Sequence, residues 1–113
     1  MIIILEQGQK LTKEDFAKAS QDYETYIKIT IDIEKKVIAL GGEYHADAEK
    51  LLLDSGSKQD DIWGGGINLN TKEFETNAMV NIQAGKNDTI EILDEKIKSV
   101  FLQIAKEVLK EYV

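Results

Sequence analysis

"YIKITIDIEKKVIAL", residues 26 to 40, opens in strict alternation: Ile27, Ile29, Ile31 and Ile33 fall on one face, and Lys28, Thr30, Asp32 and Glu34 on the other. Period two in β-branched residues predicts a strand with one face in the core and one toward water. About two turn residues near Glu34 and Lys35 follow, and "KVIAL" then runs apolar without alternation. That run predicts an antiparallel partner covered on both faces, ended by Gly41 and Gly42. The unit is a hairpin, and the rest of the chain has to complete a sheet around it.

Upstream, "MIIILEQ" is rich in β-branched residues with no polar alternation, which predicts a strand buried inside the sheet. Thr12 and Asp15 have the spacing of a capping box with the shorter acid, so a short helix follows with Phe16, Ala19 and Tyr23 inward. Downstream, from Ala46, "ADAEKLLLDSG" places Ala48, Leu51 and Leu52 at helical spacing, and Gly56 suits a left-handed stop. "SKQDDIW" adds one further turn begun by Ser57. "GGG" at 64 to 66 reads as a flexible loop beside Trp63 or as a loop covering a ligand, since glycine runs belong where backbone turns sharply, is approached closely or moves. "INLN" and "FETNAMVNIQ" then read as a second hairpin. Asp88 and Glu91 are a capping pair for a last helix running to about Tyr112. Its apolar face runs from Leu93 through Ile97, Phe101, Ile104 and Val108, and Leu102 and Leu109 widen it beyond what one sheet needs. That surplus predicts a homo-oligomer formed through the C-terminal helix. The order β-α-β-β-α-β-β-α predicts one α+β domain over residues 1–113, an antiparallel or mixed sheet of about five strands covered by about three helices.

The 113-residue length suits one core, and 42% hydrophobic with 31% charged residues describes a soluble globular chain. No apolar run approaches the roughly 20 residues of a membrane helix. "MIII" has neither a basic flank nor a cleavage site, so a cytoplasmic location is expected. The absence of cysteine excludes disulfides, thiolate metal sites and cysteine nucleophiles. All fourteen basic residues are lysines and the net charge is -7. Without guanidinium groups to fork onto phosphates or guanine edges, nucleic acid is a poor partner, and an acidic chain repels polyanions. A codon bias toward lysine and isoleucine explains the same usage.

"LGGEYHADAEK", residues 40 to 50, carries the only histidine. If it stays extended, Glu43, His45, Asp47 and Glu49 share one face; if a helix starts near His45, then His45 and Glu49 sit one turn apart. Either arrangement suits a divalent metal, the one cofactor these residues suggest, or a histidine base oriented by an acid. The competing reading is structural: carboxylates complement the positive end of a helix whose cap lies near His45. Asn68 and Asn81 lie opposite each other, about 5 Å apart at Cβ, if the second hairpin turns near residues 74 and 75. Paired amides there would hold a polar ligand or each other.

The stretch from Gly41 to Leu69 resembles a family of small uncharacterised bacterial and archaeal proteins. The likeness rests on D-I-E before the hairpin turn, GG-E-x-H-A-D-A-E, GS-x-Q-x-D-x-W-G, IN-L and a later M-x-NI, and covers roughly residues 26 to 83. It implies a shared fold and a shared surface around Glu43, His45, Asp47, Gln59, Trp63, Asn68 and Asn81, and no activity. This chain carries extra glycine after Trp63, where the family runs from Trp-Gly almost directly into Ile-Asn.

Neither a nucleophile elbow nor a triad is visible, and a sugar-sized cleft with paired carboxylates sits uneasily in so short a chain. The reading these residues favour is a small binding or assembly module presenting a polar surface around residues 43–49 and 59–68. The alternative is a small metal- or ligand-binding enzyme using Glu43, His45, Asp47 and Glu49.

Overall fold

The structure, a computed structural model, describes residues 1–113. Eight elements follow the expected order: β1 (Ile2–Leu5), α1 (Lys13–Ala19), β2 (Tyr26–Asp32), β3 (Val37–Gly41), α2 (His45–Asp54), β4 (Ile62–Asn68), β5 (Glu73–Glu75) and α3 (Glu95–Leu109). Short 3-10 turns at Gln59–Asp61 and Met79–Asn81 complete the chain. The strands form one antiparallel sheet in the order β1-β3-β2-β4-β5, which with the three helices makes an α+β fold. No helix is long and apolar enough to cross a membrane.

The hairpin at residues 26 to 40 is the centre of this sheet. Ile31 pairs with Ile38 and Asp32 with Val37, while the other edge of β2 pairs with all of β4. Ile27, Ile29 and Ile31 face the main core with Leu40, Ile67 and Phe101, under α3 and α1. The polar face was expected in water, yet Thr30 and Asp32 are fully buried, because α2 lays Ala48 and Leu52 over that side. Asp32 tolerates this position by accepting the backbone N–H groups of Glu34 and Lys35 and the Ser57 hydroxyl, at 3.0, 2.9 and 2.5 Å. A buried carboxylate needs such donors, and these fix both the hairpin turn and the exit of α2.

Local signals set several ends as read. Thr12 accepts from the Asp15 N–H at 3.0 Å. Gly56, at φ +102°, closes α2 with paired bonds from Gly56 N to Leu53 O and from Ser57 N to Leu52 O.

Other expectations are corrected. β1 lies at the sheet edge, bonded only to β3, with Ile4 partly exposed. A contiguous apolar run arises here because Ile3 and Leu5 pack into the core while Ile2 packs beside Gly42. Tyr23 lies beyond α1 and is exposed, its hydroxyl donating to the Glu43 carbonyl at 2.7 Å. The last helix starts after Asp94, whose carboxylate accepts from Lys96 N and Ile97 N at 2.8 and 3.2 Å; Asp88 instead accepts from Gly85 N. Leu109 is buried within the chain and Leu102 is partly buried against its core, so neither stands fully in water. Leu93, before the helix, is exposed.

The largest departure is the second hairpin. β5 is only three residues long, and residues 76 to 93 form a loop rather than a strand. Two buried asparagines hold that loop. Asn81 accepts from the Gly64 N–H at 2.7 Å and donates to the carbonyls of Gly64, Thr76 and Ile90 at 2.9, 3.3 and 2.8 Å. Asn87 donates to the carbonyls of Asn81, Thr89 and Glu91 and accepts from Leu93 N. Asn81 therefore stands under the loop and not opposite Asn68. Asn68 instead caps the β4–β5 turn, accepting from Asn70 N and Thr71 N at 2.9 and 3.1 Å.

Replacing Asn81 with alanine leaves the peptide groups of Gly64 buried without partners, a loss of about 3 kcal/mol or more. Asn81→Asp keeps the acceptor but sets a charge among carbonyls and should be no better tolerated. Urea denaturation measures both, and a loss below about 1 kcal/mol for Asn81→Ala would contradict this assignment.

Candidate functional site

Gly64, Gly65 and Gly66 are not a loop. They form the middle of β4, paired with Thr30, Ile29 and Lys28 of β2, and none has positive φ. Their lack of side chains serves close approach rather than turning. A methyl on Gly64 would lie 2.6 Å from Val80 and 3.0 Å from both Ala78 and the His45 ring; one on Gly66 would run into the Tyr26 hydroxyl. On the opposite face, Gly65 leaves room for the Phe101 ring and the Glu75 carbonyl. The glycine strand is thus a bare floor on which His45, Tyr26, Ala78 and Val80 rest directly.

Above that floor is a cleft of about 630 Å³, lined from three sides. Tyr26 and Lys28 come from β2, Tyr44, His45 and Glu49 from the start of α2, and Glu75, Met79 and Ile90 from β5 and the loop beyond it. Its rim leaves large apolar groups in water: Tyr44 is 61%, Met79 79% and Ile90 43% exposed. Clustered apolar exposure beside a concave polar site is a feature of ligand surfaces.

His45 is the first residue of α2, so its ring is carried back over β4, and its Nε2 lies 2.7 Å from the Gly65 carbonyl. A carbonyl only accepts, so Nε2 carries the proton and Nδ1 is left as the acceptor of the neutral ring. The Cδ2–Nε2 edge faces the glycine strand, which turns Nδ1 away from it. Burial holds the imidazole below its ordinary value of 6.5, opposed by the Gly65 hydrogen bond and aided by the nearby positive charge of Lys28. The Lys28 ammonium lies 5.0 and 5.6 Å from the ring centroids of Tyr23 and Tyr26. Tyr26 donates to Glu75 at 3.0 Å, and burial with that carboxylate's charge pushes its phenol well above the usual range.

The structure brings together only part of the sequence-derived set. His45 and Glu49, one turn apart, both line the cleft, and Gln59 donates to Glu49 at 2.5 Å. Glu43 and Asp47 are exposed outside it, because the helix begins at His45 and ends the period-two geometry that would have aligned all four. No three Asp, Glu or His side chains in the molecule lie close enough to share a metal ion. Trp63 is not part of the surface around the cleft: it is buried in the main core on the opposite face, with Lys86 5.6 Å from its ring centroid. Asn81 acts beneath the site by fixing the loop that carries Met79, Val80 and Ile90. Tyr26, Lys28, Tyr44 and Glu75 were not anticipated. Reading the glycines as a strand would have exposed two of them, since register sets Lys28 opposite Gly66 and Tyr26 opposite Asn68, two residues along on the same face.

Residues 3–108 match the model of a family described as "Protein of unknown function (DUF5674)". No curated protein and no solved structure matches the chain.

His45 gives this geometry a titration signature. Its proton is held less tightly in the folded state than in the unfolded chain, so between the two pKa values the unfolded chain binds more protons. Stability from this group is full above 6.5 and is lost as pH falls through the folded value. Imidazole NMR should show the Nε2–H tautomer near neutrality and a midpoint below 6.5. His45→Gln should lack the associated fall in melting temperature on mild acidification. A midpoint at or above the ordinary value would overturn the assignment.

Proposed function

The chain belongs to the DUF5674 family of proteins of unknown function, and on that footing we propose that it is a small-molecule-binding module whose ligand occupies the cleft over the glycine strand. The observation that carries this reading is the fixed imidazole: a neutral His45, oriented by the Gly65 carbonyl, turns an unprotonated Nδ1 away from β4 in a cleft bordered by exposed apolar side chains. The cavity volume falls in the range of roughly 300–1,000 Å³ usual for small-molecule sites. Covering the Met79 and Ile90 side chains would contribute up to ~1.5 to 3 kcal/mol each.

A binding role is favoured over acyl transfer through a hydroxyl or thiol by what lines the cleft, which carries no serine, threonine or cysteine. His45 as a general base on bound water is the alternative from the same geometry, and it too requires a ligand in this cleft.

A fragment screen followed by amide chemical shifts tests the proposal. Binders should perturb residues 44 to 46, 64 to 66 and 78 to 80 together, and Tyr44→Ala should weaken them about tenfold without unfolding the chain. Hits that map consistently elsewhere, or none at all, would overturn it.

A further inference from the structure

Three charged groups line the cleft, Lys28, Glu49 and Glu75, and none enters any ion pair of the molecule. The two carboxylates are engaged by neutral donors instead, Glu49 by the Gln59 amide and Glu75 by the Tyr26 hydroxyl, at 2.5 and 3.0 Å. Lys28 and Glu75 both meet Tyr26 without pairing with each other: the ammonium lies 5.6 Å from its ring centroid and its hydroxyl holds the carboxylate. A cation and an anion are therefore presented separately to whatever enters, within one cleft. The imidazole adds an acceptor nitrogen, and Tyr44, Met79 and Ile90 add an apolar wall.

From this arrangement we infer that the cleft takes a zwitterion with an apolar body, an α-amino acid or a short peptide, with its carboxylate on Lys28, its ammonium on Glu75 and its side chain against Tyr44, Met79 and Ile90. The inference rests on the reading of the cleft as a binding site. Other classes fit the same charges poorly. A phosphate ester would meet two carboxylates, one lysine and no arginine fork. A divalent cation lacks a third carboxylate or imidazole within reach. A neutral apolar ligand would cover three charges without compensating any.

The test uses the full chain, labelled with ¹⁵N, and titrates leucine, the dipeptide alanyl-leucine, N-acetyl-leucine and leucinamide. Leucine and alanyl-leucine separate the free amino acid from the peptide; the blocked pair each lack one charge. Either zwitterion should shift the amides of residues 64 to 66 and 78 to 80, and both blocked compounds should bind about tenfold more weakly. Lys28→Met should weaken the ligands that carry a carboxylate and leave leucinamide unchanged. Glu75→Gln should weaken those that carry an ammonium and leave N-acetyl-leucine unchanged. A merely structural role for either side chain would weaken all four alike, which would overturn the assignment. Fragments of other chemistry that shift the cleft while neither zwitterion does would overturn the ligand class and leave the cleft reading intact. A cleft that no compound of any class perturbs would sink both.

Discussion

β5 ends before it can pair with the whole of β4, leaving the N–H and C=O of Gly64 aimed at a sheet edge that is nonetheless buried. Asn81 fills that place with a side chain, its amide oxygen taking the N–H and its amide nitrogen the carbonyl. A primary amide has the donor and acceptor spacing of a peptide group, so one side chain does what a further strand residue would do. The same nitrogen reaches Thr76 and Ile90, which ties the two limbs of the following loop to the sheet. The Ala78–Ile90 and Ile92–Thr76 backbone bonds and the network of Asn87 shape the loop from within, and beyond Asn81 it is tied to the rest of the chain by Lys86 on the Asp60 carbonyl, Glu91 on Lys98 and the buried Ile92.

The cleft depends on that anchoring in a direct way. Ala78, Val80 and Ile90 form one wall because Asn81 draws the loop onto β4, and they come that close only because β4 is bare at Gly64. The bare strand also lets the His45 ring reach the Gly65 carbonyl, which sets its tautomer. Glycine run, buried asparagine and histidine are thus parts of one construction. Any side chain on Gly64 would push against the loop and the imidazole together.

The sequence made the central hairpin and both helix-start and helix-stop chemistry legible at Thr12 and Gly56, because those signals act within a few residues. It misled wherever distant packing decides. The isoleucine run of β1 looks like an interior strand, although Ile4 faces partly outward at an edge. Asp88 and Glu91 have capping spacing, but Glu91 is drawn to the Thr76 hydroxyl and to Lys98 at 3.4 Å, and Asp94 begins the helix. Three glycines read as a loop by propensity become a strand because β2 supplies a partner along its whole length. For the candidate site, the structure takes the helical geometry of residues 43 to 49 and not the extended one: the helix starts at His45, and of the four polar residues only His45 and Glu49 line the cleft. Lys28 was hidden because alternation assigned it to water and Tyr26 because the alternation was read only from Ile27 onward, and only the register of β2 against β4 turns them into cleft walls.

Amide hydrogen exchange at Gly64 tests most directly whether Asn81 organises this half of the molecule. If it does, the Gly64 N–H is protected nearly as well as the β2 and β3 amides and opens only with global unfolding. In Asn81→Ala, Gly64 should lose that protection together with Ala78 and Ile92, while β2–β3 amides change only by the loss of global stability. Rapid exchange of Gly64 in the native chain, or a loop whose protection survives the substitution, would contradict the account.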